Sequence, residues 1–320
     1  MLHANLVDQI ERYADTFQSA QPFRHVVIPQ FFADETVASI LADFPRPKED
    51  EMINEFGEKS SKYACSDVRE ISPFYERLDD YLQSDTFIGY LETITGIEGL
   101  LYDPEYHGAG THENFSGQGM DAHVDFNLHR TTGYHRRLNV IIYLNEDWQE
   151  DWGGCLELHS NPWEFKSNET KSVLPLLNQC IVFETNEYSW HGFEPVRPPQ
   201  GRNISRRSFT IYLYTKDRPD DEIAQKHNTI YVQKGTPKHF EPGYTLSESD
   251  IAELDRIFHH RNNYLKGMYA IDSQQLVQIE AMQKVMARYE RVHRLLLSPL
   301  YRVLNPIRNL FRSSRTTDSA

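Results

Sequence analysis

The middle of the chain, from about residue 97 to 215, consists of short apolar runs separated by turn residues. Four runs are rich in β-branched, aromatic or aliphatic side chains, at 138–144, 155–158, 179–183 and 208–214. Clusters of Gly, Asn, Pro and Asp stand between them. Strands of this length and spacing are typical of an all-β barrel, sandwich or jelly roll. The middle of the chain therefore predicts a β core.

Helical patterns precede that core. Apolar side chains recur at helical spacing over residues 1–20, and helices are also predicted over 34–44 and 72–95, with a short strand at 25–28 between the first two. We therefore expect an α+β fold in which the N-terminal helices pack on the outside of a jelly-roll-like core.

The helical pattern returns in the last hundred residues. A capping box at 247–250 indicates the start of one helix, and a second is predicted from Asp272 to about Leu297. Pro299 and Pro306 are expected to break the helical pattern beyond Leu297. This part of the chain predicts a helical extension.

Charge and cysteine content exclude several classes of protein. The 47 acidic and 33 basic side chains give a net charge of −14, which argues against nucleic-acid binding through a cationic surface. Cys65, Cys155 and Cys180 are too few and too far apart for a disulfide framework or a CxxC zinc site. No signal peptide or membrane-spanning run is indicated. A protein of a reducing, cytoplasmic compartment is expected.

Three residues are candidate metal ligands. In an extended segment, His123 and Asp125 lie on the same face, about 7 Å apart. His191 closely follows the apolar strand at 180–183, at a loop edge from which it can reach the same site. Two imidazoles and one carboxylate suit non-haem Fe(II), whereas zinc favours a closed tetrahedral set or a hydrolytic site. A His-x-Asp pair by itself is common, and its alternative interpretation is a surface ion pair.

A cationic strand comes next. Alternation places Arg206 and Ser208 on one face of the strand and Arg207 on the other. An inward-facing arginine beside a serine suits a carboxylate, which accepts a bidentate guanidinium contact and a hydroxyl hydrogen bond. The alternative is that both arginines lie at the start of the strand and face water.

Together these motifs resemble the 2-oxoglutarate/Fe(II)-dependent dioxygenases, in particular the prolyl-4-hydroxylase-like branch. The resemblance covers roughly residues 95–215, and residues 25–32 also resemble the segment that commonly precedes this domain. The motifs that carry it, in family order, are His123-x-Asp125, Tyr143-Leu-Asn-Glu-Asp-Trp148, Gly153-Gly-Cys-Leu156, His191 and Arg206-x-Ser208.

The resemblance implies a double-stranded β-helix, which is a jelly-roll-like and cupin-like barrel. It also implies that His123, Asp125 and His191 are the iron ligands, and it identifies no catalytic residue beyond them. By the same resemblance, Arg206 clamps the distal carboxylate of 2-oxoglutarate and Tyr143 shares that carboxylate.

Strand alternation adds to the expected co-substrate site. Arg137, Asn139 and Tyr143 fall on one strand face, so Asn139 is a further inward polar candidate beside Ser208. Arg207 replaces Arg206 as the clamp if the strand register shifts by one residue.

The implied activity is hydroxylation of an unactivated C–H bond with O₂, Fe(II) and 2-oxoglutarate, releasing succinate and CO₂, with ascorbate as a candidate reductant. The substrate is open among a peptidyl residue such as proline, a free amino acid, a glycan precursor and another small metabolite. Specificity is expected in the charged segment 48–66 and the glycine-rich segment 107–119.

Two other functions compete with this one. One is a catalytically silent jelly-roll module that binds a glycan or protein through its four tryptophans. The other is a zinc hydrolase on the same ligands, which lacks an obvious general base. The tryptophans in question are Trp148, Trp152, Trp163 and Trp190.

The chain is expected to divide into an oxygenase domain at 1–220 and a helical extension at 221–320. Residues 285–320 hold seven arginines against two acidic residues, a net charge of +5. Arginines alternate with leucines over 288–315, a pattern that suits an anionic membrane surface or a partner. The alternative is a helical appendage that packs on its own body or on a second subunit as a homodimer. The expected location is cytoplasmic, either free or at the inner face of a membrane.

Overall fold

The structure is a computed structural model that describes residues 1–46, 62–199, 201–202, 204–237 and 239–313. Most of the predicted specificity segment 48–66 lies outside the described residues. In the predicted basic tail, the side chains from residue 294 onward and the whole of residues 314–320 also lie outside them. Membrane contact through residues 288–315 and the cytoplasmic location stay predictions.

The elements occur in the predicted order of helices, strands and a final helix. The α-helices of the described residues are α1 (Ala4–Asp8), α2 (Ile10–Ser19), α3 (Asp34–Ala42), α4 (Val68–Ile71), α5 (Pro73–Leu82), α6 (Asp85–Thr95) and α7 (Glu248–Ser313). The strands are β1 (His25–Ile28), β2 (Lys62–Cys65), β3 (Leu101–Tyr102), β4 (Gly110–Asn114), β5 (Met120–Val124), β6 (His135–Tyr143), β7 (Leu156–His159), β8 (Thr170–Val173), β9 (Cys180–Glu184), β10 (Trp190–Phe193), β11 (Arg206–Thr215) and β12 (Ile230–Val232).

The strands form two antiparallel sheets. The larger has the order β1-β9-β6-β11-β4-β2, with β3 pairing to β11, and the smaller has the order β12-β5-β10-β7-β8. The inner faces of the two sheets pack together, since Tyr143 and Phe183 of the larger sheet share one buried cluster with Leu156 and Leu158 of the smaller. The predicted jelly-roll core is confirmed.

The outer face of the larger sheet is covered by the N-terminal helices. Alternate residues of β6, such as Leu138 and Val140, belong to one buried cluster with Phe17 of α2, Leu78 of α5 and Phe87 of α6. Full burial of such a side chain contributes about 1.5 to 3 kcal/mol, so these helices fix the larger sheet from behind. The predicted α+β arrangement is therefore confirmed.

Local residues cap the ends of two of these helices. Ser72 Oγ accepts hydrogen bonds from the N–H groups of Phe74 and Tyr75 at the start of α5, and Ser84 Oγ accepts one at the start of α6. Gly96, with φ of 68°, ends α6 in the left-handed conformation that glycine adopts without strain. Local signals thus set the limits of the helices behind the site.

The end of the chain differs from its prediction in two places. Residues 230–232, predicted within the helical extension, form β12 and pair with β5. A three-residue strand is too short for alternation to reveal. The contacts within the chain separate Met1–Tyr244 from Thr245–Ala320. The predicted functional boundary at residue 220 stays a prediction.

In the described part of the final unit, a single helix, α7, of 66 residues replaces the two helices that the sequence predicts. The prediction that Pro299 and Pro306 break the helix is wrong, because α7 continues to Ser313. A proline removes one backbone hydrogen bond and can be accommodated without ending a helix. Within the described residues, no helix is both long and apolar enough to cross a membrane.

Candidate metal centre

Three predicted ligands converge between the sheets. His123 of β5 and His191 of β10 are direct partners in an antiparallel pair, and their ring centroids lie 4.3 Å apart. Asp125 comes directly after β5, with its Oδ1 3.7 Å from His123 Nε2 and its Oδ2 3.5 Å from His191 Nε2. One ligand atom from each residue lies within 4.8 Å of the others, so a single ion can contact all three.

Both imidazole rings are oriented by the backbone. His123 Nδ1 donates to the carbonyl of Asp121 at 2.9 Å, and His191 Nδ1 donates to the carbonyl of Ser189 at the same distance. In each ring this hydrogen bond fixes the tautomer and leaves the Nε2 lone pair for a metal.

The carboxylate is held from the larger sheet. Arg136 Nη2 lies 3.0 Å from Asp125 Oδ2, and Asn139 Nδ2 donates to the same oxygen at 2.8 Å. Arg136 also donates to Asn139 Oδ1 through Nε and Nη2, at 3.1 and 2.6 Å. This closed set of hydrogen bonds fixes the carboxylate so that Oδ1 lies near His123 and Oδ2 lies near His191. Asn139 thus lies at the metal end, and its predicted contact with 2-oxoglutarate stays a prediction.

The alternation of side chains along β6 did not predict that Arg136 faces the metal site. The pairing of β6 with β11 shifts between Leu213–Leu138 and Tyr214–Arg136, which leaves Arg137 as an unpaired, bulged residue. A bulge inserts one residue and reverses which face the subsequent side chains occupy. Arg136 therefore shares the inner face with Asn139, whereas Arg137 contacts Glu184 at 3.2 Å.

Arg136 is enclosed by aromatic rings. Its Cζ lies 3.5 Å from the ring centroid of Tyr212 and 4.5 Å from that of Phe126. Guanidinium groups stack favourably on aromatic faces, so the two rings hold Arg136 in place without adding another charge.

The electrostatics of the three ligands favour a cation. Burial, together with the neighbouring His191, lowers the pKa of His123 to about 4, and burial also lowers the pKa of His191. Burial alone would raise the pKa of Asp125, but the charge of Arg136 and then of the histidines outweighs it and lowers that pKa. At neutral pH the site therefore has two neutral imidazoles and a carboxylate, the set that suits non-haem Fe(II).

Another buried cation on the inner face of the larger sheet is Arg206, at the start of β11. Its Nε donates to the carbonyl of Gly154 at 2.6 Å, and its Nη2 donates to the hydroxyl of Tyr143 at 3.3 Å. Its Cζ lies 4.3 Å from the ring centroid of Phe193. Among the described residues, no carboxylate pairs with Arg206, so the guanidinium remains able to bind an anion.

Arg207 lies on the opposite face of β11. Its side chain is 42% exposed and its Nε donates to Glu113 at 2.8 Å. Of the two arginines predicted as alternatives for the clamp, the structure places Arg206 inward and Arg207 outward.

Two further residues accompany Arg206. Ser208 is buried on the same face and lies opposite Tyr143 in the strand pairing. Asn114, which the sequence patterns did not identify, lies opposite Arg206 on β4, and its Nδ2 is buried without a hydrogen-bond partner in the described part of the chain. An orphaned donor beside an unpaired guanidinium fits the carboxylate of 2-oxoglutarate. The sequence signal for Asn114 is absent because only the pairing of β4 with β11 brings the two together.

Comparisons with known proteins agree with this geometry. Residues 110–214 match the family model described as the 2OG-Fe(II) oxygenase superfamily. Over 244 residues, or 70% of the chain, the sequence is 25% identical to prolyl 3-hydroxylase OGFOD1 of Mus musculus. The chain spans 41% of the length of that curated relative.

Solved structures with distant likeness include two prolyl hydroxylases. One, from Trichoplax adhaerens in complex with a peptide fragment of hypoxia inducible factor, is 15% identical with a TM-score of 0.45 and covers 66% of this chain and 93% of its own. The other is a prolyl 4-hydroxylase from Phytophthora capsici, which is 18% identical with a TM-score of 0.44. The match covers 95% of this chain and 90% of that one.

The family match includes all three candidate metal ligands and the buried arginine. His123, Asp125 and His191 fit Fe(II), and Arg206 fits the distal carboxylate of 2-oxoglutarate. The predicted resemblance to the 2-oxoglutarate/Fe(II)-dependent dioxygenases is thereby confirmed, since residues 110–214 match the model of the 2OG-Fe(II) oxygenase superfamily.

Proposed function

We propose that this protein hydroxylates an unactivated C–H bond with O₂ and 2-oxoglutarate. In the balanced reaction one oxygen atom enters the substrate as a hydroxyl group and the other enters succinate, with release of CO₂. The observation that carries the proposal is the pairing of a His–Asp–His site with a separate buried arginine that lacks a carboxylate partner among the described residues. Ascorbate as a reductant stays a prediction.

At the metal end, the protein contributes orientation. Fe(II) bound there supplies the O₂ chemistry that no side chain can perform. His123 and His191 present Nε2 because their Nδ1–H groups are bonded to carbonyls. Asp125 is held by Arg136 and Asn139, so its unpaired oxygen is fixed before a metal arrives.

At the other end, the protein contributes charge and exclusion of water. Arg206 would bind the distal carboxylate of 2-oxoglutarate, and Tyr143 would share it as a hydroxyl donor. Leu158 and Phe183 belong to the apolar cluster between the sheets. Apolar surroundings lower the local dielectric constant, which strengthens the contact between the guanidinium and the carboxylate.

We further propose a prolyl residue of a peptide as the first substrate class to test. Its support is the name of the curated relative, a prolyl 3-hydroxylase. Free amino acids and glycan precursors are the competing classes. A succinate-release screen over proline-containing peptides, free amino acids and nucleotide sugars distinguishes them, with Asp125→Ala as the blank. Turnover with free amino acids or nucleotide sugars alone would contradict the peptide proposal.

The co-substrate site has a direct spectroscopic test. Anaerobic addition of Fe(II) and 2-oxoglutarate should give a weak visible charge-transfer band in the wild-type protein. His123→Ala should abolish the band, and Arg207→Ala, on the outer face, should leave it. A band that survives in His123→Ala would refute the ligand assignment.

The silent binding module receives no support from its aromatic residues. Trp148, Trp152 and Trp190 are buried, and only Trp163 of the four is largely exposed, at 61%. A single exposed indole does not form a binding surface.

Elemental analysis after anaerobic purification tests the alternative of a zinc hydrolase, since that function requires zinc in place of iron.

A further inference from the structure

Helix α7 carries an apolar face that its own residues do not cover. At about 1.5 Å per residue, its 66 residues span about 100 Å. Met268 is 45% exposed, Met282 68% and Tyr289 64%. An isolated helix with such a face is marginal in water and gains most of its stability from packing.

The apolar positions form a heptad repeat. Starting at Ile251, core positions alternate three and four residues apart as far as Leu310, and 14 of these 18 positions are apolar. A period of 3.5 residues sustained over this length is the signature of a coiled coil, because it keeps one seam facing a partner helix. The apolar members are Ile251, Leu254, Phe258, Leu265, Met268, Ile279, Met282, Met286, Tyr289, Leu296, Leu300, Val303, Ile307 and Leu310.

Charged residues at two core positions decide how such helices can pair. Arg261 and Asp272 both lie on the seam. In a parallel, in-register pair each would face its own copy, which places like charges together in two layers. In an antiparallel pair, Arg261 can instead face Asp272 of a second copy, and twofold symmetry makes this contact twice.

That antiparallel alignment also matches the neighbouring layers. The seam then runs from 251 to 282 and is about 48 Å long. Three of its other layers are wholly apolar, and in the fourth Phe258 covers the amide of Gln275. The remaining facing pairs are Ile251 with Met282, Leu254 with Ile279 and Leu265 with Met268.

The occupant must be a helix of matching length and pattern. Among the other helices in the described part of the chain, the longest is α6 with 11 residues. Within the described residues, the helix that matches is therefore α7 of another copy. A twofold symmetric interface requires that one segment be complementary to a second copy of itself. The 32 residues of the seam meet this requirement in both their charges and their apolar layers.

We propose that residues 251–282 form an antiparallel two-stranded coiled coil with the same segment of a second copy of this chain. The dimer contact is independent of the catalytic proposal, since it involves α7 alone. The Arg261–Asp272 contact fixes both the direction and the register of the pair.

Charge exchange tests the proposal on the full chain. Arg261→Asp and Asp272→Arg should each weaken the dimer on the order of 100-fold, because each creates two like-charge contacts. The double variant Arg261→Asp/Asp272→Arg restores both pairs and should dimerise within about tenfold of the wild type. Sedimentation equilibrium over a concentration series measures the dissociation constants. Arg256→Asp, on the polar face of the helix, is the matched control and should dimerise as the wild type does.

Three results would overturn the proposal. They are a wild-type chain that is monomeric at tens of micromolar, single variants that dimerise as tightly as the wild type, and a double variant as weak as the singles. The last two indicate a parallel or unrelated pairing. A monomeric wild type that co-sediments with phosphatidylserine vesicles would assign the apolar face to a membrane. Retention of the anaerobic charge-transfer band in every variant shows that the oxygenase body is folded.

Discussion

Arg136 and Arg206 are both buried on the inner face of the larger sheet, but their charges are balanced differently. Arg136 on β6 contacts the carboxylate of Asp125 at 3.0 Å, and that contact raises its pKa despite burial. Arg206 on β11 has a carbonyl and a phenol as partners, and burial lowers its pKa. The first cation is already neutralised by the protein, whereas the second can be neutralised by a bound anion.

The difference separates a structural charge from a binding charge. A buried ion without a counterion costs several kcal/mol, so its retention in a fold points to a ligand that offsets the cost. Arg136 orders a metal ligand and needs no further anion. Arg206 is positioned to bind the carboxylate of a ligand. Substitutions at the two ends should therefore affect stability and binding in opposite ways.

The largest effect is expected for Asp125→Ala. This change removes a metal ligand and leaves Arg136 buried without its counterion, so succinate release should fall to background and the free energy of unfolding should drop by about 3 to 5 kcal/mol. Urea unfolding and metal analysis measure the two effects. His191→Ala is the control, because it removes a ligand but no counterion. Equal stability losses in the two variants would contradict the assigned role of Arg136.

Arg206→Met should weaken 2-oxoglutarate binding on the order of 100-fold, because a buried charge-assisted contact is lost. The metal-free protein should be no less stable than the wild type, since an uncompensated charge has been removed. Calorimetric titration of 2-oxoglutarate with Mn(II) in place of iron measures the affinity. Arg207→Met should bind as the wild type does. A strong loss in Arg207→Met would show that the clamp lies on the other face.

Arg136→Met should destabilise the metal-free protein by about 3 kcal/mol, because Asp125 then lacks its cation. Added Mn(II) should recover much of this loss, since a divalent ion replaces the missing charge. Thermal unfolding with EDTA and with Mn(II) provides the comparison. A loss of equal size in both conditions would indicate that Arg136 acts through packing alone.

The smallest effect is expected for Asn114→Ala. Loss of one amide hydrogen bond to the charged carboxylate of 2-oxoglutarate corresponds to about 1.5 kcal/mol, or roughly a tenfold weaker affinity. The same calorimetric titration detects it, and metal binding should not change. An unchanged 2-oxoglutarate affinity would remove Asn114 from the co-substrate site.

Local sequence was enough to predict most elements of the body. The apolar spacing in α2 and the runs in β6, β9 and β11 result directly from which side chains each sheet face buries. The sequence prediction was wrong at two places, and each of them depends on a single residue. It ended the last helix at about Leu297, although α7 continues to Ser313, and it gave Arg137 the inner face that the bulge assigns to Arg136.

The sequence by itself determined the candidate metal ligands and the family resemblance, because a His-x-Asp pair, a later histidine and an Arg-x-Ser strand are local patterns that can be recognised without coordinates. Only the tertiary structure decided which charges are balanced. Asp125 meets Arg136 through a bulge, and Asn114 meets Arg206 across a strand pair. Register between strands distant in sequence depends on packing of the whole sheet, so no local pattern can reveal it.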